Sequence, residues 1–211
     1  MLKILCFGDS ITFGEKDTEA GGWADRLKRD YFNQFVNEPI QQTCLYNLGV
    51  GGETTDGLKN RFEVEFNSRI LKGQPSNVIF AYGSNDIVIH KNKNIVPEEY
   101  FVRNLKACID HAKSNGSQVI LLSLLPIASA IEGKVNQHGK LRFESDVVKY
   151  NLILNKLAKE YCCEFLDSHS HFIQQESTLL LDNDGVPPNS QGHQMLYQLI
   201  QKKLISIGTK Q

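Results

Sequence analysis

The sequence has no apolar run near the roughly 20 residues that a membrane-spanning helix needs. It has no excess of one charge: 23 Lys and Arg stand against 24 Asp and Glu, for a net charge of -1. Nucleic-acid binding wants clustered surplus cations, so this balance argues against such a partner. Only four apolar residues stand between Lys3 and Gly8-Asp9. That run is too short for a signal-peptide core of about 7–15 apolar residues. No Pro/Gly/Ser-rich linker, repeat or low-complexity block interrupts the chain. The five cysteines, Cys6, Cys44, Cys108, Cys162 and Cys163, are odd in number and lack metal-ligand spacing. They read as buried free thiols in a reducing cytoplasm.

What the chain does have is alternation. Its 211 residues, 41% hydrophobic and 22% charged, fit one domain, 1–211, with a sizeable core. Strand patterns cover 3–7, 42–48, 77–82, 118–124 and 163–166. Helix patterns cover 22–36, 55–72, 97–114, 142–161 and 190–206. The apolar runs among these strands are near-continuous rather than alternating, as in parallel strands covered on both faces. Five βα units with short connections predict an open, doubly wound parallel sheet between two helix layers. Three connections are long, at about 83–96, 125–141 and 167–189. Long loops in a compact domain are often functional.

Four polar blocks fall at or near predicted strand ends, the edge where ligands bind in such folds. They are Gly8-Asp9-Ser10-Ile11, Asn47-Leu48-Gly49-Val50-Gly51-Gly52-Glu53-Thr54-Thr55, Gly83-Ser84-Asn85-Asp86 and Asp182-Asn183-Asp184-Gly185-Val186-Pro187-Pro188-Asn189. Taken singly, each reads as turn or helix-cap chemistry. Taken as chemistry, Ser10 is a candidate nucleophile. A nucleophilic serine needs donors for the oxyanion it creates, and the Gly52 N–H and Asn85 amide are of the right kind. A nucleotide site is weakly supported, because the glycines match neither G-x-G-x-x-G nor a phosphate loop.

Together the four blocks resemble the SGNH hydrolase superfamily, the GDSL esterases and lipases, over essentially the whole chain and in the family's order. The resemblance implies a three-layer α/β/α, flavodoxin-like fold with a five-stranded parallel sheet. It implies a serine ester hydrolase, a lipase or acylhydrolase, working through an acyl-enzyme on a small-molecule ester. It assigns Ser10 as nucleophile and Asp184 as the acid of a triad. The oxyanion hole would comprise the Ser10 N–H, Gly52 N–H and Asn85 side chain. No metal or organic cofactor is implied.

One position departs from the pattern. The family's last block resembles Asp-Gly-x-His-Pro-Asn, and here Pro187 stands where the histidine would be. Proline cannot accept a proton. The histidines weighed as substitutes are His193 in the last helix, His169 and His171 after the fifth strand, and His90 in the loop after Asn85. His111 and His138 have no motif around them. The alternative is therefore a silenced homologue that binds an ester, acetyl-sugar or lipid-like ligand. The loop at 125–141, with Glu132, Lys134 and Lys140 and with Arg142 just beyond, is polar and is read as a cover for the pocket. It favours small, water-soluble esters over long acyl chains.

Overall fold

The alternating pattern folds as one open sheet with helices on both faces. The computed structural model describes residues 1–37, 42–71 and 73–208. In chain order it begins with β1 (Leu2–Gly8), α1 (Ser10–Phe13), α2 (Trp23–Asn37), β2 (Thr43–Gly49), α3 (Thr55–Asn67) and β3 (Ser76–Ala81). It continues through β4 (Ile89–His90), β5 (Lys93–Asn94), α4 (Glu98–Ser114), β6 (Gln118–Leu122), β7 (Lys140–Leu141) and α5 (Glu144–Glu160). Last come β8 (Glu164–Leu166), α6 (Ser168–Gln174), a 3-10 turn at Ser177–Leu179, and α7 (Ser190–Gly208).

Five parallel strands form the central sheet in the order β2-β1-β3-β6-β8. The side-chain alternation of β1 divides the core. Leu5 and Phe7 face Leu58, Phe62, Phe101 and Tyr150 of α3, α4 and α5. Ile4 and Cys6 face Trp23, Leu27, Leu196 and Ile200 of α2 and α7. Because both faces are covered, Ile4 through Phe7 are fully buried, which is why the run reads as unbroken apolar.

Register fixes the functional edge. Gly8 lies beside Gly49 of β2 and Ala81 of β3. The polar blocks after β1, β2 and β3 therefore leave the sheet side by side. Strand order reverses at β1, and the crevice at such a switch point is where ligands bind in open α/β sheets.

The predicted strands and helices match the main elements within a few residues, with corrections. The third helix, expected over 55–72, ends at Asn67, and residue 72 lies outside the described residues. The long loops are not structureless. Segments 83–96 and 125–141 contribute β4, β5 and β7 to a small antiparallel sheet. Segment 167–189 contains α6, whose start is capped by the Asp167 carboxylate accepting from the Ser170 N–H. The thiols are free, but only Cys6 and Cys108 are buried; Cys162 is exposed in the turn after α5. Among the described residues no helix is long and apolar enough to cross a membrane.

The approach of α1 to β2 depends on Gly49. A Cβ there would stand 2.1 Å from the Phe13 backbone nitrogen, which cannot swing away as a side chain could. Gly49→Ala should lose about 1–3 kcal/mol in a urea titration. Gly51→Ala, where a Cβ meets nothing within 4 Å, should stay within about 0.5 kcal/mol of native. Equal midpoints for all three chains would refute this account of the contact.

Candidate active site

The site is built from the turns that leave β1, β2 and β3. Asp9 stops the first strand and caps α1, its carboxylate accepting from the Ile11 N–H at 2.9 Å. Ser10 is thereby the first residue of a four-residue helix at the carboxyl end of β1. Among the described residues neither its hydroxyl nor its N–H has a hydrogen-bond partner.

Gly52 occupies a turn with φ +73°, the left-handed region that glycine adopts without strain. Its N–H is also unengaged among the described residues. The next residue anchors this turn. Glu53 accepts from Arg61 Nε at 2.8 Å and Arg61 Nη2 at 2.6 Å, and from the Tyr82 hydroxyl at 2.5 Å. Arg61 Nη2 also donates to the Leu48 carbonyl at 2.7 Å. The clamp ties the turn to β2, α3 and the end of β3.

Asn85 joins the turns. Its amide donates to the Glu53 carbonyl at 3.1 Å and to Asp9 Oδ2 at 3.3 Å. An amide NH₂ carries two donors, so both are in use. Serving an oxyanion requires the longer bond, to Asp9, to be shared or released. Beside it, Asp86 Oδ1 accepts from the Thr55 N–H at 3.0 Å, securing the start of α3, while Asp86 Oδ2 is buried without a partner. Burial dominates both carboxyls. It pushes Asp9 up to about 7 and Asp86 up to about 6.

The fourth block arrives from beyond β8. A bridge pairs Leu181 with Pro188, and the Pro187 carbonyl accepts from the Asp182 N–H at 2.9 Å. Asn189 caps α7, accepting from the Gln191 and Gly192 N–H groups at 3.0 Å each. Asp184 is half exposed. Its carboxylate accepts from the Val186 N–H at 3.3 Å and lies 3.8 Å from Lys16 Nζ. Lys16 also pairs with Asp182 at 3.4 Å, a contact that raises its pKa and keeps it charged.

Ser10, Gly52, Asn85, Asp184 and Pro187 line one pocket of about 340 Å³. The residues quoted from four separate segments are thus brought together. The histidines sort differently. His193 is fully buried: its Nδ1 accepts from the Trp23 N–H at 3.3 Å and its Nε2 faces the Glu15 carbonyl at 3.0 Å. The Trp23 bond puts the ring proton on Nε2, so both nitrogens are occupied by structural bonds. Burial also lowers its pKa. It is a core tether between α7 and the start of α2, not a boundary residue. His169 pairs with Glu144 at 2.5 Å, His171 is exposed on α6, and His90 Nδ1 faces the Gly139 carbonyl at 3.0 Å. None of these four lines the pocket. His138, which has no motif around it, does. The signal for it lies in the fold alone: residues 133–142 turn back as a hairpin across the pocket mouth.

Comparison with known proteins bears on the family and the fold. A model of the GDSL-like lipase/acylhydrolase family matches residues 6–195. The chain is 25% identical to the uncharacterized lipoprotein YqeF of Bacillus subtilis, covering 92% of this chain and 88% of that one. It is similar in structure to a lipase/acylhydrolase from Enterococcus faecalis, with a TM-score of 0.72 at 23% identity over 97% and 95% of the two chains. It is also similar to an acetyl xylan esterase from Geobacillus stearothermophilus, with a TM-score of 0.70 at 21% identity over 95% and 93%. Two further structures of that esterase are catalytic mutants, at a histidine and at an aspartate three positions before it.

Asp86 offers a pH test of the site's burial. Its folded value of about 6 lies above the unfolded value of about 3.9, so the fold favours the neutral acid. The stability tied to that proton is complete below about pH 4 and is lost as pH rises through about 6. Asp86→Asn keeps an acceptor for Thr55 and removes the charge. It should equal native stability near pH 4 and exceed it at pH 8 by on the order of 2–3 kcal/mol. Urea titrations across that range would show it; a pH-independent difference would contradict the assignment.

Proposed function

The chain belongs to the GDSL-like lipase/acylhydrolase family, and from that membership we propose that it is a serine ester hydrolase working through an acyl-enzyme. The observation that carries this reading is the shared pocket of Ser10, Gly52, Asn85 and Asp184. The Ser10 hydroxyl attacks the ester carbonyl carbon. The Ser10 N–H, Gly52 N–H and Asn85 amide receive the oxyanion. The carbonyl re-forms, the alcohol departs with the proton, and water hydrolyses the Ser10 ester. The pocket's polar walls favour a small, water-soluble ester.

We propose further that turnover is slow, because Pro187 leaves no imidazole beside Asp184. Asp184 and Pro187 have the three-residue spacing of the aspartate and histidine altered in the acetyl xylan esterase mutants. Lys16, the cation now beside Asp184, is held protonated by its carboxylates and cannot take the Ser10 proton. General acid–base assistance is typically worth about 10²–10⁴-fold, and that much of the rate is forgone. Oxyanion binding alone can retain about 10³–10⁴-fold over water. The same pairing of Asp184 with Lys16 favours a second reading, a silenced homologue that binds an ester, acetyl-sugar or lipid-like ligand without hydrolysing it.

Hydrolysis of a short-chain aryl acetate separates the two. The native chain should exceed Ser10→Ala, and Pro187→His should raise the Ser10-dependent rate by about 10²-fold or more. His138→Ala asks whether the pocket's imidazole supports the native rate. A native rate equal to that of Ser10→Ala would sink the hydrolase reading in favour of the silent one.

A further inference from the structure

The hairpin over the pocket carries a row of cations. Its ladder is closed by the Gly133 N–H donating to the Arg142 carbonyl at 3.0 Å and the Asn136 N–H to the Lys140 carbonyl at 2.9 Å. It is anchored where β7 pairs with β4, His90 opposite Lys140. Lys134, Lys140 and Arg142 all line the pocket that holds Ser10. Arg142 is the informative one. It is partly buried, and its Nε donates to the Ser84 carbonyl at 3.2 Å. A guanidinium has five N–H donors. Among the described residues no carboxylate pairs with this one. A desolvated cation with one backbone acceptor is costly unless an anion completes it.

Asp9 and Asp184 both act on Arg142 electrostatically, but among the described residues neither is close enough to form an ion pair with it. Asp184 is turned to Lys16 and the Val186 N–H. Asp9 is buried, accepts from Ile11 and Asn85, and at neutral pH carries less than a full charge, its carboxyl being pushed up to about 7 by burial. Glu15 is exposed at the rim.

We infer that Arg142, with Lys140 beside it, forms an anion subsite that selects esters bearing a carboxylate on the part of the substrate away from the scissile bond. The guanidinium fork matches a carboxylate, and Lys140 adds a point charge on the open side. This rests on reading the Ser10 pocket as an ester site.

The test uses Ser10→Ala, so that ester stays intact, and two probes of nearly equal shape, monomethyl succinate and its neutral amide, methyl succinamate. NMR titration should show the anionic ester binding about tenfold more tightly. Raising salt from about 0.05 M to about 0.5 M should narrow the gap. Adding Arg142→Gln should abolish the preference, and Arg142→Lys should keep part of it. If Arg142→Gln does not fold, Lys140→Gln on the hairpin carries the test and should reduce the preference. Equal or weaker binding of the anionic ester in the Ser10→Ala chain overturns the subsite, as does a preference untouched by both glutamine variants. The two readings fail separately. Absent Ser10-dependent hydrolysis with the preference intact removes the hydrolase alone. Hydrolysis of the neutral aryl ester with no preference removes the subsite alone.

Discussion

The amide of Asn85 is the joint on which the candidate site depends. Through its two donors it connects the turn after β1, at Asp9, with the turn after β2, at Glu53, while itself leaving β3. Three loops from three parallel strands would otherwise vary independently. The joint works because Gly8, Gly49 and Ala81 are neighbours across the sheet, so the loops begin level. It holds because each partner is braced from behind. Asp9 is fixed by the Ile11 N–H, and Glu53 by Arg61 and Tyr82. The amide that positions the loops is also the proposed oxyanion donor. Preorganisation and binding therefore compete for the same hydrogens.

Much of this was legible from residues alone. The inner strands β1, β3 and β6 are buried on both faces and stand out as near-continuous apolar runs, and the blocks after the strands carry residue types that turn chemistry and catalysis share. Their convergence in one pocket is what the joint resemblance implied. What was not legible has a physical reason. The strands β4, β5 and β7 are two residues long. At that length no side-chain period exists, and pairing is decided by the partner. The helix α6 opens with Ser168-His169-Ser170-His171, a polar run with no apolar stripe; its one local sign was the Asp167 cap. From sequence, His193 stands at the border of the apolar stripe of α7 and reads as a residue packing its ring beside the core. Its full burial follows from two backbone partners, Trp23 and Glu15, more than 150 positions away in sequence. The 125–141 loop, with Arg142 just beyond it, was legible as a cover for the pocket, but which of its side chains line the pocket, His138 among them, is set by the hairpin fold.

The electrostatics of the pocket follow from an exchange of partners. In a triad, an acid would hold an imidazole. Here Asp184 faces Lys16, whose backbone takes φ +72° in the segment after α1. The acid is thereby shared with a surface cation. It also acts on Arg142 electrostatically without forming an ion pair with it among the described residues. Among the described residues the imidazole that lines the pocket, His138, makes no ion pair with Asp184, and the Arg142 guanidinium makes none with any carboxylate.

Pro187 can occupy its position because nothing structural there requires a histidine. The loop's shape is carried by backbone groups and by Asn189. The Pro187 carbonyl accepts from Asp182, Leu181 bridges Pro188, and Asn189 donates to the Leu179 and Leu181 carbonyls while capping α7. None of these bonds uses the side chain of residue 187, and proline's missing N–H leaves no partner unpaired among the described residues. A buried proline also restricts the unfolded chain. The fold thus holds residue 187 without needing an imidazole there, while the turns of Ser10, Gly52 and Asn85 are positioned by contacts that residue 187 does not touch. That independence lets the donors of the candidate site keep their register whatever side chain stands at position 187.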